Sequence, residues 1–202
     1  IFLPLHQDLL YYESPPGLQL LHFIKNKSTG GDNVFTDAFS AAEHVRKTNV
    51  EAYEALLKCP INYHYNRGGH YYYQSRCLVV EDNTGDSKAK VFKETNYSPP
   101  FQAPFEYGVG HPVTGESTGE EAERGPVFEH FLRGLKLFED YINDPANRLK
   151  FKTEEGTCLL FDNRRVLHAR EAFDANSGER WLKGCYIDKD AFQSKLRAVN
   201  ML

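Results

Sequence analysis

The chain has little of what a disulfide scaffold, a membrane protein or a nucleic-acid binder needs. Its 202 residues hold four cysteines, Cys59, Cys77, Cys158 and Cys185, and no two of them form a Cys-x-x-Cys pair. Free thiols in a reducing compartment are the simplest reading. Cys158 and Cys185 stand in apolar runs, which predicts a core position for both. No apolar run approaches the roughly 20 residues of a membrane span. Basic residues are not in excess, 24 against 28 acidic ones, and a formal charge of −4 carries no footprint for nucleic acid. The doublet Arg164-Arg165 fits local packing and pairing. Internal repeats and a domain linker are also lacking. What is present is a chain 41% hydrophobic and 13% aromatic, sufficient for one substantial core.

The local patterns alternate strand and helix signals. Residues 17–25 read as a strand, followed by a turn rich in Gly, Ser and Asn over 25–32. Ser40-Ala41-Ala42-Glu43 and Thr48-Asn49-Val50-Glu51 are capping-box patterns, predicting short helices over 40–47 and 50–58. The Tyr-rich stretch 61–80 predicts strands around a Gly68-Gly69 turn. Residues 106–125, Gly-rich and acidic, predict an exposed excursion. Phe128, Phe131, Leu132, Leu135, Phe138 and Ile142 recur at helical spacing, so 126–143 is an amphipathic helix with a core-facing stripe. Strands return from Leu149. By periodicity alone this is a mixed β fold with inserted helices.

The residues that carry chemistry lie near the two ends. His6-Gln7-Asp8 opens the chain, and Asp162-Asn163-Arg164-Arg165-Val166-Leu167-His168 lies near its close, with Arg180 twelve residues further on. Two imidazoles and one carboxylate are a ligand set for non-haem Fe(II) that leaves three positions open. On spacing alone, the same residues also fit a surface pair near a terminus and a satisfied core histidine. Context favours the metal: His6 ends the apolar run Phe2-Leu3-Pro4-Leu5, and His168 follows the buried-strand pattern Thr157-Cys158-Leu159-Leu160-Phe161.

Longer stretches sharpen the reading. They are Leu3-Pro4-Leu5-His6-Gln7-Asp8, Pro15-Pro16-Gly17-Leu18-Gln19-Leu20-Leu21-His22, Thr29-Gly30-Gly31-Asp32 leading to Asp37-Ala38-Phe39, and Asn96-Tyr97-Ser98-Pro99-Pro100-Phe101. The 162–171 block, Gly184-Cys185-Tyr186-Ile187-Asp188 and Ser194-Lys195-Leu196-Arg197 complete the set. In this order they resemble the TauD/TfdA-type Fe(II)/2-oxoglutarate oxygenases. Within that group the chain is most similar to γ-butyrobetaine dioxygenase, with trimethyllysine dioxygenase as a near relative. The resemblance implies a double-stranded β-helix, or jelly roll. It also implies Fe(II), 2-oxoglutarate as cosubstrate and O₂, with ascorbate as an accessory reductant.

The same resemblance assigns roles. His6, Asp8 and His168 hold the metal and form the catalytic centre. Arg180 clamps the remote carboxylate of 2-oxoglutarate through its planar fork, with Arg170 and Arg197 as secondary candidates. Asn33 stands where the family often has a threonine after Gly-Gly-x, and its amide can donate to a carboxylate. Tyr186, Tyr11 and Tyr12 are expected to surround a trimethylammonium group through ring faces, and Asn96 to contact substrate. Tyr71-Tyr72-Tyr73 reads as ordinary strand packing. Leu9 departs from a tyrosine found in some relatives.

The function implied is hydroxylation of γ-butyrobetaine to L-carnitine, with trimethyllysine hydroxylation as the alternative and a non-enzymatic scaffold as a third reading. The partner expected is a small quaternary-ammonium substrate rather than nucleic acid or membrane, with room for a homodimer. Placement is expected to be intracellular, cytoplasmic first and mitochondrial as the alternative. Residues 1–202 read as a single oxygenase domain. Because it starts at Ile1, with the first ligand at position 6, the chain is expected to be a fragment lacking upstream strands and an N-terminal domain.

Overall fold

The first strand of the chain pairs with the strand that carries His168. The computed structural model describes residues 2–82, 91–105 and 119–201. In chain order the elements are β1 (Leu3–His6), β2 (Leu18–Asn26), β3 (Asn33–Asp37), α1 (Ala38–Thr48), α2 (Val50–Leu56), β4 (Pro60–Arg67), β5 (His70–Cys77), β6 (Val79–Asp82) and β7 (Val91–Thr95). There follow α3 (Gly119–Asn143), β8 (Leu149–Phe151), β9 (Cys158–Asp162), β10 (Val166–Arg170), β11 (Arg180–Ile187) and α4 (Lys189–Asn200). One antiparallel sheet has the order β1-β10-β3-β8 and a second the order β11-β2-β9. Strands β4-β5 and β6-β7 are separate hairpins. The two sheets meet through Phe35 of β3 and Phe161 of β9, whose rings lie 5.3 Å apart. This is the jelly-roll arrangement expected.

The period of two along each strand divides the interior into two compartments. Leu5, Val34, Leu167 and Ala169 face one way and join a core with Ala41, Ala42 and Val45 of α1, Tyr53 and Leu56 of α2, and Phe131, Phe138 and Ile142 of α3. Fully burying each large side chain there contributes about 1.5–3 kcal/mol. Gly134 permits the close crossing of α2 and α3, because a Cβ at that position would lie 2.7 Å from the Ala52 carbonyl oxygen. The alternate residues face the second sheet, and the space between the sheets is lined by buried polar groups: His6, Gln19, Asn26, Asn33, Thr153 and His168. A polar cleft with an apolar wall behind it is where a site can form.

Several local expectations change. Asp37, not Ser40, caps α1, accepting from the Phe39 N–H at 2.9 Å. Asn49 caps α2 through the Ala52 N–H, while the Thr48 hydroxyl turns back to the His44 carbonyl within α1. The first cap was read three residues late and the second one residue early, because short polar residues cluster at each boundary. Helix α3 begins at Gly119 rather than at 126; the rest of the expected excursion, 106–118, lies outside the described residues. Leu132 is exposed rather than part of the α3 core stripe. Cys158 and Cys185 are exposed instead of buried, since both lie on strands of the three-stranded sheet whose outer face carries no helix among the described residues; none of the four cysteines forms a disulfide. The Gly68-Gly69 turn joins β4 to β5 as expected, both glycines having positive φ, 60° and 78°. Arg165 pairs with Asp37, and Arg164 is buried against Glu94 and Asn96. No described helix is long and apolar enough to cross a membrane.

Candidate metal and cosubstrate site

Pairing of β1 with β10 sets His6 directly opposite His168, with ring centroids 4.2 Å apart. A register shift between Leu3 and His6 accommodates this alignment. Asp8 follows the end of β1 and precedes Leu9, whose φ of 60° is a strained left-handed conformation for a leucine. One atom from each of His6, Asp8 and His168 falls within 4.8 Å of the others, so a single cation can serve all three.

The donor chemistry fits a cation. His6 Nδ1 donates to the Pro4 carbonyl at 2.8 Å, which leaves Nε2 as the lone-pair nitrogen of the neutral ring. That nitrogen faces Asp8 Oδ1 at 3.2 Å. Two lone-pair atoms at this separation need a proton or a metal between them. Burial, with the neighbouring His6, pushes His168 down to about 3 despite the pull of Asp8, so its ring is neutral at pH 7. Burial raises the Asp8 carboxyl, but hydrogen bonding with His6, the charges of His168 and His6, and the Tyr186 hydroxyl outweigh it and hold Asp8 at about 2. Two imidazoles beside a carboxylate are the donor set that Fe(II) takes.

Asp8 is fixed at both backbone and side chain. Asn163, fully buried, accepts from the Asp8 N–H at 2.9 Å and donates to the Asp8 and Pro16 carbonyls at 3.1 and 3.2 Å. Gln7 bridges the Asn163 carbonyl, the Thr95 hydroxyl and the Tyr97 N–H. Gln19 Nε2 and the Tyr186 hydroxyl both donate to Asp8 Oδ2, at 2.6 and 2.9 Å.

Arg180 opens a second cluster. Across β2–β11, Trp181 opposes Lys25 and Leu182 opposes Phe23, so Ile24 is an extra residue in β2. The bulge resets the side-chain alternation. Gln19 and Phe23 face inward before it, and Asn26 faces inward after it. Asn26 Oδ1 accepts from Arg180 Nη1 at 2.6 Å, and Asn26 Nδ2 donates to the Thr153 carbonyl at 2.7 Å. The guanidinium lies over Phe173 and Phe23, at 5.2 and 5.7 Å from the ring centroids. Burial, then the neighbouring Arg170, lowers the Arg180 pKa, an environment that favours an anionic ligand. Gly31, at φ 73°, admits this packing, since a Cβ there would come within 3.2 Å of Phe173 Cβ. Asn33 Nδ2 donates to the Thr153 hydroxyl at 2.6 Å. Arg170 also lies over Phe173, 4.8 Å from its ring centroid, whereas Arg197 lies away on α4 in a pocket with Glu94 and Lys189.

An aromatic cluster borders Asp8. Tyr11 stacks on Tyr65 at 5.2 Å and meets Phe101 at 5.0 Å; Tyr12 meets Tyr72 at 4.9 Å. Burial first, then the surrounding tyrosines and Asp8, raises Tyr11 to about 12, so it stays a neutral ring. Tyr186 is likewise pushed upward by burial and Asp8. Tyr72 packs across the strand pair on Tyr65, as expected, and also meets Tyr11 and Tyr12. Asn96 differs from expectation: it is buried, donates to the Cys77 carbonyl and accepts from Arg164, leaving its amide spent on support. Sequence reading missed Gln19, Asn26, Thr153 and Asn163. A lone Gln inside the apolar run Leu18–Leu21 was a usable signal for the first; Asn26 and Thr153 had none.

Comparison with known proteins agrees with this geometry. Residues 2–186 match the Taurine catabolism dioxygenase TauD, TfdA family. The chain is 41% identical to the Saccharomyces cerevisiae protein named "Probable oxidoreductase AIM17", covering 96% of this chain and 46% of that protein. It is 34% identical to a gamma-butyrobetaine dioxygenase of Pseudomonas sp., covering 96% of this chain and 45% of that one. The chain therefore spans about half the length of these relatives. A taurine dioxygenase structure from Burkholderia xenovorans superposes with a TM-score of 0.58 at 20% identity, over 91% of this chain and 58% of the other, which shows a shared fold. Fold, donor set and sequence agree, and the chain belongs to the TauD/TfdA family of dioxygenases.

Proposed function

We propose that this chain carries the active site of an Fe(II)/2-oxoglutarate-dependent hydroxylase acting on a small quaternary ammonium compound, γ-butyrobetaine, to give L-carnitine. The observation that carries the reading is the convergence of His6, Asp8 and His168, with a bare imidazole nitrogen facing a carboxylate oxygen at 3.2 Å. Fe(II) bound there supplies the O₂ chemistry that couples decarboxylation of 2-oxoglutarate to hydroxylation of a C–H bond. The protein's part is placement. His6, Asp8 and His168 would hold the metal through two imidazole nitrogens and one carboxylate oxygen, a donor set that would leave room for cosubstrate and O₂. Arg180, preset by Asn26 and Phe173, receives the far carboxylate of 2-oxoglutarate, and Asn33 and Thr153 line the same pocket.

Substrate choice rests on the tyrosines. A trimethylammonium group cannot donate a hydrogen bond, so ring faces recognise it. Tyr186 donates to Asp8 Oδ2 at 2.9 Å, and the rings of Tyr11, Tyr12 and Tyr72 pack on one another. This supports a cation next to the metal. A second reading, trimethyllysine hydroxylation, is favoured by Val166-Leu167-His168 followed by Arg170-Glu171, and it uses the same cage. The deciding experiment offers γ-butyrobetaine and trimethyllysine side by side to the full-length protein with Fe(II) and follows succinate and hydroxylated product. Carnitine formation coupled to succinate is expected. Succinate formation dependent on neither compound refutes the substrate assignment.

A further inference from the structure

Asp8 is held by more than its place in the chain. Two side chains on neighbouring strands donate to one and the same oxygen of its carboxylate. Gln19 of β2 is 2% exposed, and its Nε2 lies 2.6 Å from Asp8 Oδ2. Tyr186 of β11 is the register partner of Gln19, and its hydroxyl lies 2.9 Å from Oδ2. The other oxygen, Oδ1, receives neither donor and faces His6 Nε2. We infer that Gln19 and Tyr186 are positioning residues: a cross-strand clamp that keeps Asp8 a one-oxygen metal ligand through Oδ1. The inference rests on the iron reading above.

The chemistry of the groups leads there. A carboxylate only accepts hydrogen bonds, so Gln19 must present its nitrogen to Asp8 and turn its carbonyl away. That carbonyl oxygen, Oε1, is buried and has no partner among the described residues. An unpaired buried acceptor is costly, and a leucine would fill the same space without it. The position is therefore better explained by the donor it supplies than by packing. Two donors on Oδ2 withdraw its charge and occupy its lone pairs, leaving Oδ1 as the stronger ligand. The consequence is for coordination number. A carboxylate binding through both oxygens takes one of the three open positions, whereas a bidentate 2-oxoacid and O₂ together need all three. The clamp keeps that third position open.

The test is an anaerobic titration of Co(II) into the full-length protein, read by ligand-field absorption, with and without 2-oxoglutarate. Gln19→Leu and Tyr186→Phe each remove one donor. Each is expected to weaken Co(II) by about 10- to 100-fold, the usual effect of losing a group that orients a metal ligand. Each is also expected to change the absorption spectrum as Asp8 rotates. A thermal melt of the metal-free protein checks that Gln19→Leu folds; if it does not, Tyr186→Phe decides, since Tyr186 is 45% exposed and keeps its ring. Wild-type affinity and an unchanged spectrum in the folded variants overturn the clamp alone. Failure of the wild-type protein to bind Co(II) overturns the iron reading, and the clamp with it.

Discussion

Replacing Arg180 with lysine separates charge from geometry at the proposed cosubstrate pocket. In the structure Arg180 is held before any ligand arrives: Asn26 Oδ1 accepts from Nη1 at 2.6 Å, Asn26 is tied to the Thr153 carbonyl, and Phe173 and Phe23 cover the guanidinium plane. Lysine keeps the positive charge but brings a point ammonium in place of the fork, so it cannot keep two parallel hydrogen bonds to a carboxylate. One charge-assisted hydrogen bond is worth about 1.5–3 kcal/mol. At roughly 1.4 kcal/mol per decade, Arg180→Lys should weaken 2-oxoglutarate by about 10- to 150-fold. Metal affinity should change little, because Arg180 touches none of His6, Asp8 and His168 through a hydrogen bond or ion pair. The assay is an anaerobic titration of 2-oxoglutarate into the Fe(II)-loaded protein, paired with the apparent KM for the cosubstrate. A curve that overlays the wild type, with the loss appearing in Arg170→Lys instead, refutes the assignment and moves the clamp to Arg170, the neighbouring arginine on Phe173.

The other predictions address the metal, the cage and the fold. His168→Ala should abolish hydroxylation and sharply weaken Fe(II) binding, measured by equilibrium dialysis; retention of wild-type metal affinity would remove the three-residue site. Tyr186→Leu should weaken γ-butyrobetaine roughly thirty-fold, the value of a desolvated cation–ring contact of about 2 kcal/mol, while Tyr186→Phe should spare the substrate KM; equal KM losses in both would show that the hydroxyl, not the ring, matters to substrate. Asp37→Asn should lower stability in urea by about 1 kcal/mol at neutral pH by removing the charged partner of Arg165 while keeping a cap-competent amide. Burial raises the Asp37 carboxyl, but the Arg165 hydrogen bond and charge and the N–H groups of the first turn of α1 bring it below the ordinary value. A folded value below the unfolded one stabilises above the unfolded pKa and is lost as pH falls through the folded one. The gap between wild type and Asp37→Asn should therefore close in acid, and a gap that widens there would contradict the sign.

Much of the site was legible because its chemistry is carried by residue type. His6, Asp8 and His168, singled out by ligand identity and spacing, do lie together, and the turn at Gly68-Gly69 and the stripe Phe131, Phe138 and Ile142 followed from turn chemistry and period. The failures have equally local causes. Cys158 and Cys185 lie in apolar runs, yet burial depends on whether anything covers that face of the sheet, which a run of letters does not state. Asn96 sits in a matching block, but its amide is consumed by Cys77 and Arg164, a choice made by packing.

By itself, then, the amino-acid order determined the donor set, the strand and helix periods and the family. It could do so because each depends on neighbours or on side-chain chemistry alone. Tertiary structure decided which residues meet. The register of β1 on β10 places His6 against His168, since a slip of one residue would turn either ring to the opposite face. The extra residue Ile24 turns Asn26 inward to Arg180 after Gln19 and Phe23 already face that way. The pairing of β2 with β11 brings Gln19 and Tyr186 to one oxygen of Asp8. Each of these is a non-local pairing whose partner lies far along the chain. Register is set by the sum of many cross-strand contacts, so no single motif encodes it.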